Sequence, residues 1–151
     1  DSTLFESSFQ ILVVEDDPVI ADMLRELLSS AGYQVRLAPD VIAALFILER
    51  HAIDLITLDI QLRTYSGSGL LALLKTDPRT RHIPVIVITS SQVSLSVQRL
   101  ATHVLSKPFS IGPLLQLVSA CLRDMHACPQ PWDQVTHAED LELKVVHEVL
   151  D

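Results

Sequence analysis

Glycine is scarce in this chain, with four in 151 residues, and so are cysteine, with two, and tryptophan, with one. So little glycine beside 48% hydrophobic residues excludes a fibrous or low-complexity chain and points to one packed domain with a proper core. Two cysteines, Cys121 and Cys128, cannot staple a fold of this size and are read as reduced thiols of the cytosol, with Cys121 expected half-buried on a helix. No apolar run approaches the roughly 18 residues that a membrane span needs. The opening "DSTLFESSFQ" lacks the basic flank and apolar core of a signal peptide, and it lacks an initiator Met, as a trimmed chain would. The expectation is a cytoplasmic protein without membrane contact. Positive charge is short too: 11 Lys and Arg stand against 19 Asp and Glu, a net charge of −8. Nucleic acid is therefore not expected as a direct partner, because phosphate binding needs a clustered basic surface.

What is present alternates between β-rich runs and helical periodicity. Strands are expected at 10–14, 33–37, 54–58, 83–89 and 103–106. Helices are expected from Pro18 to about Gly32, over 39–50, near 66–76, near 91–100, and after "KPFS". Asp17 suits the cap of the first helix, Pro18 its first turn and Gly32 its exit. Its apolar face reads as Ile20, Met23, Leu24, Leu27 and Ala31; that of the last helix reads as Ile111, Leu114, Leu115, Val118, Leu122 and Met125. Five strands alternating with five helices imply parallel βαβ units in an open doubly wound sheet, where function sits at the carboxyl ends of the strands. Residues 1–9 read as an N-terminal extension and 10–127 as the domain. Residues 128–151 read as a linker, "CPQPWDQ" with Trp132, followed by a short amphipathic helix.

The polar residues gather at those strand ends. The first strand runs into Glu15, Asp16 and Asp17, the third into Asp59, the fourth into Thr89 and Ser90, and the fifth into Lys107 and Pro108. An Asp at a strand end is ordinarily a turn or cap residue, and Asp17 before Pro18 fits that description. Asp59 does not, given its company. Carboxylates about 4 Å apart repel by roughly 4 kcal/mol per pair at an effective dielectric of about 20. Lys107 offers one counter-charge, and a hard divalent cation with oxygen ligands, Mg²⁺, offers two more.

The segments "ILVVEDDP", "LITLDIQL", "VIVITS" and "LSKPF" stand in the order and approximate spacing of response-regulator receiver domains, and residues 10–126 resemble that CheY-like family. The resemblance implies a flavodoxin-like (βα)5 fold. It implies that Asp59 is the phosphoacceptor, supplied by a histidine kinase, a phosphotransfer protein or a small acyl phosphate. It implies Mg²⁺ held by Glu15, Asp16, Asp59 and the backbone carbonyl of Gln61, with Thr89 and Lys107 contacting the phosphoryl group and a cis peptide at Lys107–Pro108. Further expected partners are a second copy of the chain and either a separate downstream target or an output domain on a longer chain.

Four departures fall away from the reacting atoms. Val104 occupies the position where many receivers carry a switching Tyr or Phe. The stretch from Thr89 to Lys107 is about one helical turn short, so the fourth helix is expected to be reduced. Leu100–Ala101 replaces the usual Gly–Ala, and Arg63 replaces the usual Pro. These predict intact phosphorylation chemistry with an unusual output. The competing reading is an interaction module that phosphorylation no longer controls. A third, a phosphohydrolase working through an aspartyl phosphate, is disfavoured by Gln61, which stands where such enzymes carry a second Asp.

Overall fold

The computed structural model describes residues 9–62 and 66–127. Strands and helices alternate along the chain: β1 (Gln10–Val14), α1 (Pro18–Ser30), β2 (Gln34–Ala38), α2 (Val41–Arg50), β3 (Leu55–Leu58), α3 (Gly67–Thr76), β4 (Val85–Thr89), α4 (Leu95–Leu100), β5 (His103–Ser106) and α5 (Ile111–Ala127). The strands pair in parallel in the order β2-β1-β3-β4-β5. The direction of winding reverses at β1, and the carboxyl ends of β1 and β3 open there on a common rim.

Period-2 alternation divides the strand residues between two cores. Leu12, Val14, Ile56, Leu58, Val85 and Val87 pack under α2, α3 and α4, with Ala44, Leu71, Leu74 and Val97 from those helices. Ile11, Val13, Leu55, Ile86 and Ile88 pack on the other side against Leu24 and Leu28 of α1 and Leu114, Val118 and Leu122 of α5. Each such fully buried aliphatic side chain contributes about 1.5–3 kcal/mol. The expected doubly wound five-stranded sheet is therefore the observed one, with helices on both faces. No helix among the described residues is long and apolar enough to cross a membrane.

Local chemistry fixes where the helices start. Asp17 caps α1 by accepting from Val19 N at 2.9 Å. Asp40, extended at φ −153° and ψ 177°, caps α2 by accepting from Ala43 N at 2.8 Å. The second helix thus begins at Val41, two residues after the expected Pro39. Ser66 and Ser94 cap α3 and α4 in the same way. Gly32, at φ 100°, makes the left-handed exit from α1. Tyr33 N–H still bonds to Leu28 O at 3.2 Å, so β2 begins one residue later than expected.

Three further expectations are corrected. The face that α1 buries is Ala21, Leu24 and Leu28, while Met23 is exposed. Ile111 is exposed at the start of α5, and Cys121, expected half-buried, joins the core. Helix α4 has six residues, the reduced fourth helix that the spacing predicted. The expected C-terminal helix, Trp132, Cys128 and Arg63 lie outside the described residues.

Candidate functional site

The sheet ladder continues one residue past three strand ends, and those residues carry the chemistry. Glu15 N–H donates to Ala38 O at 3.0 Å, Asp59 N–H to Val14 O at 3.0 Å, and Lys107 N–H to Thr89 O at 2.8 Å. Their side chains are thereby aimed from a rigid, buried scaffold into one rim. Glu15, Asp16 and Asp59 each bring a carboxylate oxygen to within 4.8 Å of the others. Glu15 and Asp59 are buried, at 4% and 5% exposure, and Asp16 is half-buried.

Lys107 bridges the two buried acids. Its Nζ donates to Glu15 Oε1 at 2.8 Å and to Asp59 Oδ2 at 3.3 Å. Burial raises the Glu15 pKa above the usual carboxylate range, against the lowering effect of the Lys107 hydrogen bond and of the Asp17 N–H on Oε2 at 3.1 Å. Burial also opposes charge on Lys107, but the hydrogen bond and field of Glu15, joined by Asp59, outweigh it and raise its pKa. Asp59 Oδ1 accepts from Gln61 N–H at 2.9 Å. Both carboxylate oxygens of Asp59 are thus oriented, one by backbone and one by an ammonium.

Thr89 ends β4 fully buried, and its Oγ1 accepts from Ser91 N–H at 3.3 Å. The Lys107–Pro108 peptide is cis. Val104 lies on β5 with 39% of its surface exposed. The structure therefore brings Glu15, Asp16, Asp59, Gln61, Thr89 and Lys107 to the carboxyl edge of the sheet, and leaves Val104 on its outer side. The donor set suits a hard divalent cation: three carboxylates, all oxygen, with one ammonium among them and no thiolate or imidazole in the cluster.

Two features escaped the sequence reading. Gly67, the first residue of α3, packs against the Asp59–Ile60 backbone so closely that a Cβ would stand 2.5 Å from Asp59 O. A glycine opening an otherwise strong helical pattern was the available signal, since glycine disfavours helices. Across the mouth of the site, Ser90 Oγ donates to Gln61 Oε1 at 2.7 Å. Nothing in the spacing of those two residues announces it.

A doubly wound sheet with an acidic, lysine-bridged basin at the ends of β1 and β3 defines a class of cation-binding α/β domain. The family model described as the response regulator receiver domain matches residues 11–119. The chain belongs to that family: it is a receiver domain of two-component signalling, a signalling domain with an acidic cluster able to hold Mg²⁺. It is 35% identical over 125 residues to the DNA-binding dual master transcriptional regulator RpaA of Synechocystis sp., covering 80% of this chain and 52% of that protein. It is 30% identical over 118 residues to the polar-differentiation response regulator DivK of Brucella anthropi, covering 76% of this chain and 96% of that one. The chain thus spans about half the length of one relative and nearly all of the other. Among solved structures, the response regulator TrrA of Thermotoga maritima in complex with Mg²⁺–BeF superposes with a TM-score of 0.69 at 27% identity, over 76% of this chain and 99% of that one. The receiver domain of a signal transduction histidine kinase from Syntrophus aciditrophicus gives 0.72 at 30% identity, over 80% and 95%.

Proposed function

We propose that Asp59 accepts a phosphoryl group from the phosphohistidine of a histidine kinase or phosphotransfer protein, or from a small acyl phosphate, in a Mg²⁺-dependent reaction. The aspartyl phosphate then switches contacts with a second copy, a downstream protein or an attached output domain. The observation that carries this reading is the Lys107 bridge: a half-buried ammonium in contact with the buried carboxylates of both Glu15 and Asp59, within a three-acid cluster.

Glu15, Asp16, Asp59 and the Gln61 carbonyl would hold the cation. When bound, Mg²⁺ supplies charge neutralisation at the phosphoryl oxygens. The chain supplies alignment. Gln61 N–H and Lys107 fix the Asp59 carboxylate from opposite oxygens, so that one of them meets the phosphorus in line with the leaving group. The Asp59 Oδ–P bond forms as the donor's P–N or P–O bond breaks. Lys107, already 3.3 Å from Asp59 Oδ2, is placed to neutralise a phosphoryl oxygen, and the Thr89 hydroxyl to donate to another. Added charge at Asp59 then favours the packing in which Thr89 and Lys107 turn toward it.

The test is incubation with acetyl phosphate and Mg²⁺ followed by intact-mass measurement. One phosphoryl adduct is expected on the wild type and none on Asp59→Asn; an adduct on both, or on neither, contradicts the proposal. The short α4 and the ring-less Val104 favour one second reading, an interaction module whose partner affinity ignores phosphorylation. Partner affinity unchanged by beryllofluoride and Mg²⁺, despite their binding, would establish it.

A further inference from the structure

A groove of about 800 Å³ opens at the amino edge of the sheet, the end away from the acids, between the last turns of α2 and α3 and the loops that follow them. Its floor is apolar: Leu45 and Leu48 of α2, Leu73 of α3, and Ile53 and Ile83 from the loops. Leu73 leaves 48% of its surface exposed there. The surroundings are basic, although the whole chain carries −8. Arg50, Lys75, Arg79, Arg81, His51 and His82 stand in or beside the groove. Three acids line it, and each is already engaged. Asp54 Oδ2 accepts from Gln10 N–H at 2.8 Å, Asp77 Oδ2 from Arg79 Nη2 at 2.9 Å, and Glu49 stands 3.7 Å from Arg50. An apolar floor within a basic rim suits an occupant that is apolar on one side and acidic on the other.

The chain itself supplies such a segment. Residues 128–151 hold six acids against one lysine, and Leu141, Val145 and Val149 stand four apart. The segment leaves the domain at the right edge. Helix α5 starts after Lys107 at the carboxyl edge, and its 17 residues run about 25 Å, past the length of the strands. It therefore ends at the amino edge, where the groove opens. Lys75 shows how narrow that edge is: its ammonium donates to Ile83 O at 2.6 Å beneath the groove, and it still feels the field of Cys121 on α5. The ten residues from 128 to 137 reach about 35 Å when extended, enough to cross one edge of a domain whose radius of gyration is about 14 Å. We propose that residues 138–150 dock in this groove as an amphipathic helix, with Leu141, Val145 and Val149 on its floor and the acids along its basic rim. The tether makes the encounter intramolecular, at an effective concentration in the millimolar range. The docked segment covers Leu73 and leaves the acidic basin at the opposite edge open. The inference stands independently of phosphorylation at Asp59.

The experiment is hydrogen exchange followed by mass spectrometry on the full chain. It compares wild type, Leu73→Glu, Arg79→Glu and the tail variant Leu141→Glu/Val145→Glu. Peptides from 138–150 are expected to exchange at least about tenfold more slowly in wild type than as free chain, and to lose that protection in Leu73→Glu and in the tail variant. Arg79→Glu, or 0.5 M salt, should lower it about threefold. Leu73 and Arg79 are both exposed, so circular dichroism should show the domain folded in either variant. A peptide of residues 135–151 added to the tail variant should restore protection over 77–83. A wild-type segment that exchanges as free chain overturns the proposal. So does protection indifferent to Leu73→Glu, which would seat the segment elsewhere, or protection that grows with protein concentration, which would seat it on a second copy.

Discussion

Gly67→Ala adds one methyl group at the most crowded point of the site. Its Cβ would stand 2.5 Å from Asp59 O, 2.7 Å from Ile60 Cα and 2.8 Å from Ile60 O. All three are backbone atoms, and Gly67 N–H is itself bonded to Ile60 O at 3.2 Å, so no flexible side chain can give way. Either the loop after β3 or the start of α3 must move. Overpacking of this kind costs about 1–3 kcal/mol. The helix gains back about 0.5–1 kcal/mol when Ala replaces Gly. The net loss is about 1–2 kcal/mol, a fall in Tm of about 4–8 °C for a domain near this size. The moved atoms include the carbonyl of Asp59 itself, so Mg²⁺ affinity and phosphorylation rate should fall beyond what stability explains, since misplacement of a reacting group by about 1 Å costs up to about a hundredfold. Thermal melts by circular dichroism and a Mg²⁺ titration read both effects. Gly69→Ala is the control, because its Cβ would meet Ser66 Cβ at an ordinary 3.8 Å; it should be neutral or gain up to about 1 kcal/mol. If Gly67→Ala melts at or above wild type, or cannot be told from Gly69→Ala, the steric reasoning is wrong.

Two other perturbations test the packing of the domain, one on β3 and one at the far end of the sheet from the site. Thr57 is 1% exposed on β3, with its hydroxyl unpartnered; Thr57→Val keeps the shape, removes the stranded polar atom, and should raise stability by about 1 kcal/mol in urea titrations, whereas a loss would mean that the hydroxyl is satisfied. Lys75 donates to Ile83 O at 2.6 Å and to Arg81 O at 3.3 Å, and burial lowers its pKa from 10.5 to about 8. The unfolded chain then binds more protons than the folded one between those values, so stability should rise with pH across that window, by up to about 3 kcal/mol. Urea midpoints at about pH 7.5 and 9.5 should show the rise in wild type and lose it in Lys75→Met; equal slopes would refute the assignment.

The doubly wound sheet, its cover of helices and the rim were legible in the sequence for a shared reason. In a parallel sheet the apolar runs are buried on both faces, so any charge that ends one is confined to an edge. Glu15 and Asp59 stand immediately after such runs, and their place followed from that; Lys107 follows β5, a mostly exposed edge strand, and was placed by the alternation of strands and helices instead. The turning of α1 did not follow. Ile20, Ala21, Met23, Leu24, Leu27 and Leu28 offer two overlapping stripes, and only contact with the sheet chooses Ala21, Leu24 and Leu28. Ile111 is apolar at the right spacing yet exposed, because the first turn of α5 lies beyond the core that receives Leu114 and Val118. The approach of Gly67 to Asp59 and the bond from Ser90 to Gln61 depend on how separate loops meet, which no local periodicity encodes.

Chemistry and readout obey different constraints in this fold. Glu15, Asp59 and Lys107 leave their strands with the ladder still intact; for Glu15 and Asp59 those strands, β1 and β3, are among the most buried of the molecule, while β5 is an exposed edge strand. Moving either acid means moving a strand of the core. The α4–β5 side is the more exposed edge of the sheet, where β5 ends the ladder paired to β4. Helix α4 is six residues long, and Leu95 of α4, Val104 of β5 and Ile111 of α5 are exposed apolar side chains. Sequence can drift there without displacing a reacting atom, and the departures at Val104, Leu100 and Ala101 fall in that region. Lys107 is where the two meet. Its backbone belongs to the ladder through Thr89 O, and its ammonium is shared unequally, at 2.8 Å from Glu15 and 3.3 Å from Asp59. The longer contact is to the carboxylate proposed as nucleophile, so a phosphoryl group on Asp59 would compete with Glu15 for the ammonium and change its pull on β5.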